Sequence, residues 1–318
     1  MKVIEHITQA KNPTFSFEIV PPPRGKSINE IIEVTEALAT LNPAWIDVTS
    51  HKSAVEYQEK PDGTFVRKKV KKRPGTLGIC GVIQNRFKID TVAHLLCAGF
   101  TREETEDALI ELNYLGIHNV LALRGDATDA VKNPLQLKQQ NLSTHKYAAH
   151  LVEQIKELGQ GQFLEEMAES TPLEFCIGVA GYPEKHFEAP CLKDDVENLK
   201  HKVALGADYI VTQMFFDNRK YFEFVELCRS AGITVPIIPG LKILRSTAQL
   251  KSIPKNFYID IPATLVDEVN SAPQHVIEIG KAWAQKQMRE LLEKGAPGLH
   301  LYVLNDVHSA VELVKKLQ

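Results

Sequence analysis

Residues 14–50 read TFSFEIVPPPRGKSINEIIEVTEALATLNPAWIDVTS. The stretch opens on a β-forming run (14–20), passes through three prolines and a helix-period segment (27–41), and returns to a second β-rich run at 44–50. Strand, helix, strand in such close succession is the unit of a parallel sheet. Ser27, with Glu30 three residues on, reads as a capping box that starts the helix. One feature sits oddly in this pattern: Glu18, a carboxylate, lies inside the first strand-like run.

The same rhythm continues through IDTVAHLLC (89–97), HNVLAL (118–123), EFCIGVA (174–180), DYIVTQ (208–213), VPIIP (235–239) and LHLYVL (299–304), which makes eight candidate strands. Helix-period segments lie between them, among them 101–116, where Thr101 and Glu104 form a capping box, and 193–205. Eight repeats predict an α/β fold of the closed (β/α)8 TIM type. No GxGxxG fingerprint argues for a doubly wound dinucleotide-binding sheet. We expect a single barrel domain over 1–318, with a hairpin-like insertion at 52–73 where a DG turn separates two strand-like runs and a Lys/Arg cluster follows. Residues 127–145 and 158–173 are polar and read as loops.

Composition excludes several classes of function. A net charge of -3 and a pI near 6.4 give no global basic field, so nucleic acid is not an expected partner. Five cysteines without a CxxC pair indicate neither a disulfide framework nor a zinc knuckle. No apolar stretch is long enough for a signal peptide or a membrane span, so a cytoplasmic location is expected and a membrane is not. With no HxH or HExxH pair, no metal site is expected, and the absence of GxSxG argues against a serine nucleophile.

Active sites of such barrels lie at the carboxyl ends of the strands. There the sequence places Glu18, Thr49, Ser50, His51, His94, Arg124, Gly125, Asp126, Tyr182, His186, Gln213, Asp217 and Lys242. The ordinary alternatives are a strand-end carboxylate paired with an arginine for Glu18 and a satisfied core histidine for His94. Lys242, after PGL, is in principle a Schiff-base lysine for a barrel lyase.

FSFEIVPPP (15–23), ALRGD (122–126), GVAGYPEKH (178–186) with LKDDVENLKHKVALGAD (192–208), VTQMFFD (211–217), PIIPGL (236–241) and GLHLYVLN (298–305) occur in one order. Together they resemble the flavin-dependent 5,10-methylenetetrahydrofolate reductase family, in its short bacterial form without a regulatory domain, from about residue 12 onward. The resemblance implies a barrel that binds FAD, takes hydride from NADH or NADPH, and reduces methylenetetrahydrofolate to 5-methyltetrahydrofolate. It also implies a homo-oligomer.

By the same resemblance Glu18 is the general acid that delivers a proton to N10 of the folate, and Asp126 is a second catalytic carboxylate near the flavin and the pterin. Gln213 and Thr49, with Asp126, face the nicotinamide and the folate. Ser50, His94, Arg124, Gly125, Asp126, Ala148, Tyr182, His186, Asp195, Asn198 and Lys202 fall on cofactor-binding positions. A carboxyl flanked by Phe17 and Ile19 and screened by a flavin is expected to be desolvated, with a raised pKa.

The chain departs from the family at three places. Thr247 stands where an aromatic residue is common, Asp306 replaces an arginine in LNR, and Thr49, Ser50 and His51 replace TYG. Reduction of a different pterin, and a barrel that binds flavin or folate without turnover, stay open at this stage. The Lys-rich insertion, with Lys69, Lys71 and Lys72, reads either as a solvated loop or as positive charge available to a polyglutamate tail.

Overall fold

The computed structural model describes residues 1–125, 143–304 and 306–317. Its strands are β1 (Thr14–Ile19), β2 (Trp45–Val48), β3 (Ala54–Glu59), β4 (Phe65–Val70), β5 (Thr91–Leu96), β6 (Asn119–Leu123), β7 (Cys176–Gly181), β8 (Tyr209–Thr212), β9 (Ile237–Ile238), β10 (Gly240–Leu241) and β11 (Gly298–Leu304). Nine of them form one sheet in the order β10-β11-β1-β2-β5-β6-β7-β8-β9, and every pairing in it is parallel. The two ends of that order, β9 and β10, are separated in the chain only by Pro239, so the sheet closes on itself. Pro239 has no N–H for a ladder, yet its carbonyl still accepts from His300 N at 3.0 Å. Counting β9 and β10 as one interrupted strand gives the eight-stranded barrel that the sequence predicts.

The helices are α1 (Val3–Gln9), α2 (Asn29–Ala39), α3 (Thr76–Val82), α4 (Arg102–Tyr114), α5 (Ala148–Leu158), α6 (Leu192–Ala204), α7 (Asn218–Ser230), α8 (Gln249–Phe257), α9 (Ala263–Ser271), α10 (Val276–Glu293) and α11 (Val307–Lys315). The Thr101 box at the start of α4 forms as expected: Glu104 N donates to Thr101 Oγ1 at 3.1 Å, and Thr101 N donates to Glu104 Oε2 at 2.9 Å. Ser27 does not cap α2. The helix begins two residues later than the pattern suggests, and the Ser27 hydroxyl accepts from Asn29 N at 3.1 Å in the turn that leads into it. Three prolines and Gly25, which has a φ of 92°, carry the chain away from β1 and delay helical geometry.

Period-2 alternation divides the barrel into two cores. Phe15, Phe17, Ile19, Ile46, Val48, Val120, Ile177, Ile210, Leu299 and Leu301 pack outward against the helices. Fully burying a side chain such as Phe17 contributes about 1.5–3 kcal/mol. Trp45, Val92, Leu121, Tyr209, Val211 and Ile238 fill the axis, with Val3 of α1 packed against them. Val3 N donates to Asn119 Oδ1 at 2.8 Å, which ties α1 to the start of β6. Gly178 makes room in this interior, because a Cβ there would run into the Tyr209 ring.

β3 and β4 form a separate two-stranded antiparallel sheet between β2 and α3. Its base is tied to the proline loop after β1: Arg24 N donates to Lys72 O at 2.8 Å, and Arg73 Nη1 donates to Pro21 O at 2.6 Å. Of the expected 127–145 loop, 127–142 lie outside the described residues. All five cysteines are free thiols. Among the described residues no helix is long and apolar enough to cross a membrane.

Candidate active site

The alternation that sends Phe15, Phe17 and Ile19 outward turns Ser16 and Glu18 into the barrel. The same rule brings Asp47, His94 and His300 inward from β2, β5 and β11. His94 Nε2 lies 3.5 Å from Asp47 Oδ1 and 3.7 Å from Glu18 Oε2. His300 Nδ1 lies 3.7 Å from Asp47 Oδ2, and its Nε2 lies 4.0 Å from Glu18 Oε2. These are charge contacts, longer than hydrogen bonds; the shorter link is Ser16 Oγ with His300 Nδ1, at 2.9 Å. Asp47 and His300 are wholly buried, whereas the Glu18 side chain keeps 12% exposure toward the mouth.

This geometry corrects the expectation of a raised pKa at Glu18. Burial does push its carboxyl up, but His300, His94 and Lys242 together outweigh it, and the group lies below its ordinary value. The displaced proton preference appears at His94. Burial alone would lower that imidazole, yet the carboxylates of Asp47 and Glu18 raise it above its ordinary value. Lys242, just past β10, is lowered by burial, with Glu18 and Asp306 opposing the shift.

A second set of side chains lies beyond the ends of β6 and β7. Arg124 ion-pairs with Glu188, and its guanidinium lies 5.5 Å from the Tyr147 ring centre, next to Ala148 at the start of α5. Gly125 has a φ of 80°, and a Cβ there would stand 3.2 Å from Ala98 Cβ, so the turn after β6 suits glycine. Tyr182 meets His186 edge to face at 4.8 Å. Asp195, in the first turn of α6, accepts from His186 N at 2.9 Å. Lys202 donates to Ala180 O at 2.9 Å, and burial pulls its ammonium down to about 8. Burial also lowers His186, reinforced by Arg124, Lys202 and Lys185 against the pull of Asp195. Asn198 is exposed on α6 between Asp195 and Lys202.

The remaining expected residues also sit at strand ends. Thr49 follows β2, its Oγ1 3.1 Å from His51 Nε2, with Ser50 beside it. Ser50 and His94 help line a cavity of about 190 Å³ with Lys71, Phe100 and Glu104. Gln213 follows β8 and folds back, its Oε1 accepting from Met214 N at 2.9 Å. Thr247 is exposed ahead of α8. Asp306, nearly buried, pairs with Arg245 Nε at 2.7 Å and accepts from Ser309 N at 3.1 Å, capping α11. Asp126 lies outside the described residues. Among the described residues no group of His, Cys, Asp or Glu is arranged to hold a metal ion.

Sequence reading missed Ser16, Asp47 and His300. The signal was available as polar residues at every second position of apolar strand runs: Ser16 with Glu18, Asp47 in AWIDVTS, and His300 in LHLYVL.

Comparison with known proteins adds a name to this arrangement. The family profile described as "Methylenetetrahydrofolate reductase" matches residues 3–318. A Caenorhabditis elegans protein named "Probable methylenetetrahydrofolate reductase (NADPH)" is 29% identical over 99% of this chain and 43% of its own length. The Pectobacterium carotovorum "5,10-methylenetetrahydrofolate reductase" is 29% identical over 91% of this chain and 85% of its own. A Zea mays relative, "Methylenetetrahydrofolate reductase (NADH) 1", is 31% identical over the whole chain and 51% of its own length. The chain thus spans about half the length of the eukaryotic relatives it matches. A Clostridium thermocellum protein, described as binding two copies of 5-methyl-5,6,7,8-tetrahydrofolic acid, superposes with a TM-score of 0.60 at 14% identity, over 98% of both chains, and shares the fold.

Proposed function

The chain belongs to the methylenetetrahydrofolate reductase family, and from that premise we propose that it reduces 5,10-methylenetetrahydrofolate to 5-methyltetrahydrofolate at the expense of a reduced nicotinamide. The observation that carries this reading is Glu18, directed into the barrel mouth and flanked inside by His94, His300 and Lys242.

FAD fits the second set of side chains. Arg124, Lys185 and Lys202 gather positive charge at the ends of β6 and β7, with the His186 imidazole among them as a hydrogen-bonding group, suited to a diphosphate. The turn at Gly125 lets backbone approach a planar ring. In this reading Ser50, His94, Arg124, Gly125, Ala148, Tyr182, His186, Asp195, Asn198 and Lys202 hold the cofactor, and Asp126 adds a carboxylate to it. Bound FAD supplies the hydride relay between nicotinamide and folate.

The chain's own residues supply binding and protons. Glu18 moves a proton to N10 of the folate as the five-membered ring opens, which makes the methylene carbon electrophilic. Because its own carboxyl lies low, Glu18 acts as the last carrier of a proton held nearby. Gln213 and Thr49 orient the nicotinamide and the pterin. Lys242 is an electrostatic partner of Glu18, and borohydride in the presence of a carbonyl substrate should trap no adduct on it.

Anaerobic stopped-flow absorbance tests the reading. A reduced nicotinamide should bleach the flavin band and methylenetetrahydrofolate should restore it. In Glu18→Gln the second step should slow by about 10²–10⁴-fold. Bleaching without reoxidation by the folate would refute the proposed substrate, and an absent flavin band after added FAD would refute the cofactor.

A further inference from the structure

Asp47 belongs to none of the residues assigned so far, yet it is a wholly buried acid inside the barrel. It is 0% exposed, and neither carboxylate oxygen has a hydrogen-bond partner among the described residues. A buried carboxylate is costly unless an opposite charge stands beside it. The groups facing it from the surrounding elements are few. Cys80 on α3, Tyr209 on β8 and Tyr302 on β11 all feel Asp47 as a charge that disfavours their ionisation. Glu18 on β1 is itself an acid, and the carboxylates that Lys242 feels are Glu18 and Asp306, not Asp47. That leaves the two imidazoles, His94 at 3.5 Å and His300 at 3.7 Å.

We propose that Asp47 is a positioning residue that holds a proton on His94 and fixes His300, so that the barrel interior stores the proton that leaves through Glu18. The folate as final acceptor rests on the function proposed above; the storage itself does not. His94 Nε2 faces both carboxylates, at 3.5 and 3.7 Å, and therefore sits between two negative groups on β2 and β1. His300 spans the same two residues through its two nitrogens and is oriented by the Ser16 hydroxyl. In the transfer, the N–H bond of the His94 imidazolium breaks as an O–H bond forms on Glu18. That O–H bond then breaks as an N–H bond forms on the substrate amine. His94 is left neutral and recovers its proton from solvent after product leaves. No electrons change hands within the relay.

The raised pKa of His94, with Asp47 first among the groups that raise it, agrees with this geometry. Removing the Asp47 charge leaves His94 with burial and one carboxylate only. Its imidazole must then lose its proton at lower pH.

The experiment is an NMR titration of imidazole-labelled protein, wild type and Asp47→Asn, beside pH profiles of the folate half-reaction. We expect wild-type His94 to titrate above the ordinary value of about 6.5, and Asp47→Asn to lower it. The alkaline limb of the folate step should move to lower pH in the same variant. A loss of activity from mere misfolding would lower the rate without moving that limb. An unchanged His94 titration in Asp47→Asn overturns the proposal. Should that variant fail to fold, wild type decides: a His94 already neutral at pH 6 overturns it equally. The titration needs no folate, so a wild-type protein inert toward methylenetetrahydrofolate refutes the proposed activity while the role of Asp47 is still decided by NMR.

Discussion

His94 Nε2 stands 3.7 Å from Glu18 Oε2 inside the barrel, with side-chain exposures of 4% and 12%. The acid proposed to deliver the proton is therefore held ionised by its neighbours. Replacing His94 by Gln removes one of the opposing charges and leaves burial a larger share, so the Glu18 carboxyl should rise. Infrared difference spectra should show a protonated-carboxyl band persisting to higher pH in His94→Gln than in wild type. The band should be missing from the Glu18→Gln, His94→Gln double variant.

The same pair gives stability a defined dependence on pH. His94 has a raised folded pKa, so its contribution is complete below the unfolded value of about 6.5 and fades as pH rises through the folded one. Glu18 is lowered, so its contribution is present above about pH 4.3 and fades as pH falls through the folded value. Urea unfolding should show the largest gap between wild type and His94→Gln between about pH 4.3 and 6.5, with the gap narrowing on both sides.

Asp306 caps α11 and pairs with Arg245. Asp306→Ala should cost about 0.5–2 kcal/mol through the lost cap alone. Arg245→Ala should cost less, since Arg245 is more than a third exposed and its ion pair is screened. Asp306→Arg loses the cap and sets two cations side by side, so it should be the least stable of the three. Equal unfolding midpoints for Asp306→Ala and wild type would show that the cap contributes nothing.

Gly178 is required by the Tyr209 ring rather than by its own backbone. Gly178→Ala should destabilise by about 1–3 kcal/mol through overpacking of the axis. Tyr209→Leu in the same chain should return part of that loss in denaturant melts.

Lys71 and Lys72 stand at the base of the β3–β4 sheet, Lys71 over the Phe100 ring at 5.2 Å and Lys72 3.5 Å from Glu56. Changing both to alanine should raise KM for a polyglutamylated substrate several-fold and leave KM for the monoglutamate nearly unchanged. Equal KM values for the polyglutamate in both proteins would remove the hairpin from substrate binding.

The sequence by itself determined the barrel, because eight β-rich runs alternating with helix-period segments leave few other ways to bury both faces of a parallel sheet. It also determined Glu18 as the acid to watch, since a carboxylate inside TFSFEIV has no place on an outward apolar face. Local signals were sufficient where the interaction is local, as at Thr101 and Glu104. Where prolines and a positive-φ glycine intervene, as at Ser27, they were not. The tertiary structure alone decided the charge state around Glu18. Asp47, His94 and His300 are 29, 76 and 282 residues from it in sequence, and only the lateral pairing of β11, β1, β2 and β5 brings the two imidazoles within about 4 Å of both Glu18 and Asp47, where Coulomb interactions in a poorly solvated interior outweigh desolvation. Burial can be guessed from neighbouring residues, but the sign of a pKa shift depends on charges that the fold supplies from elsewhere.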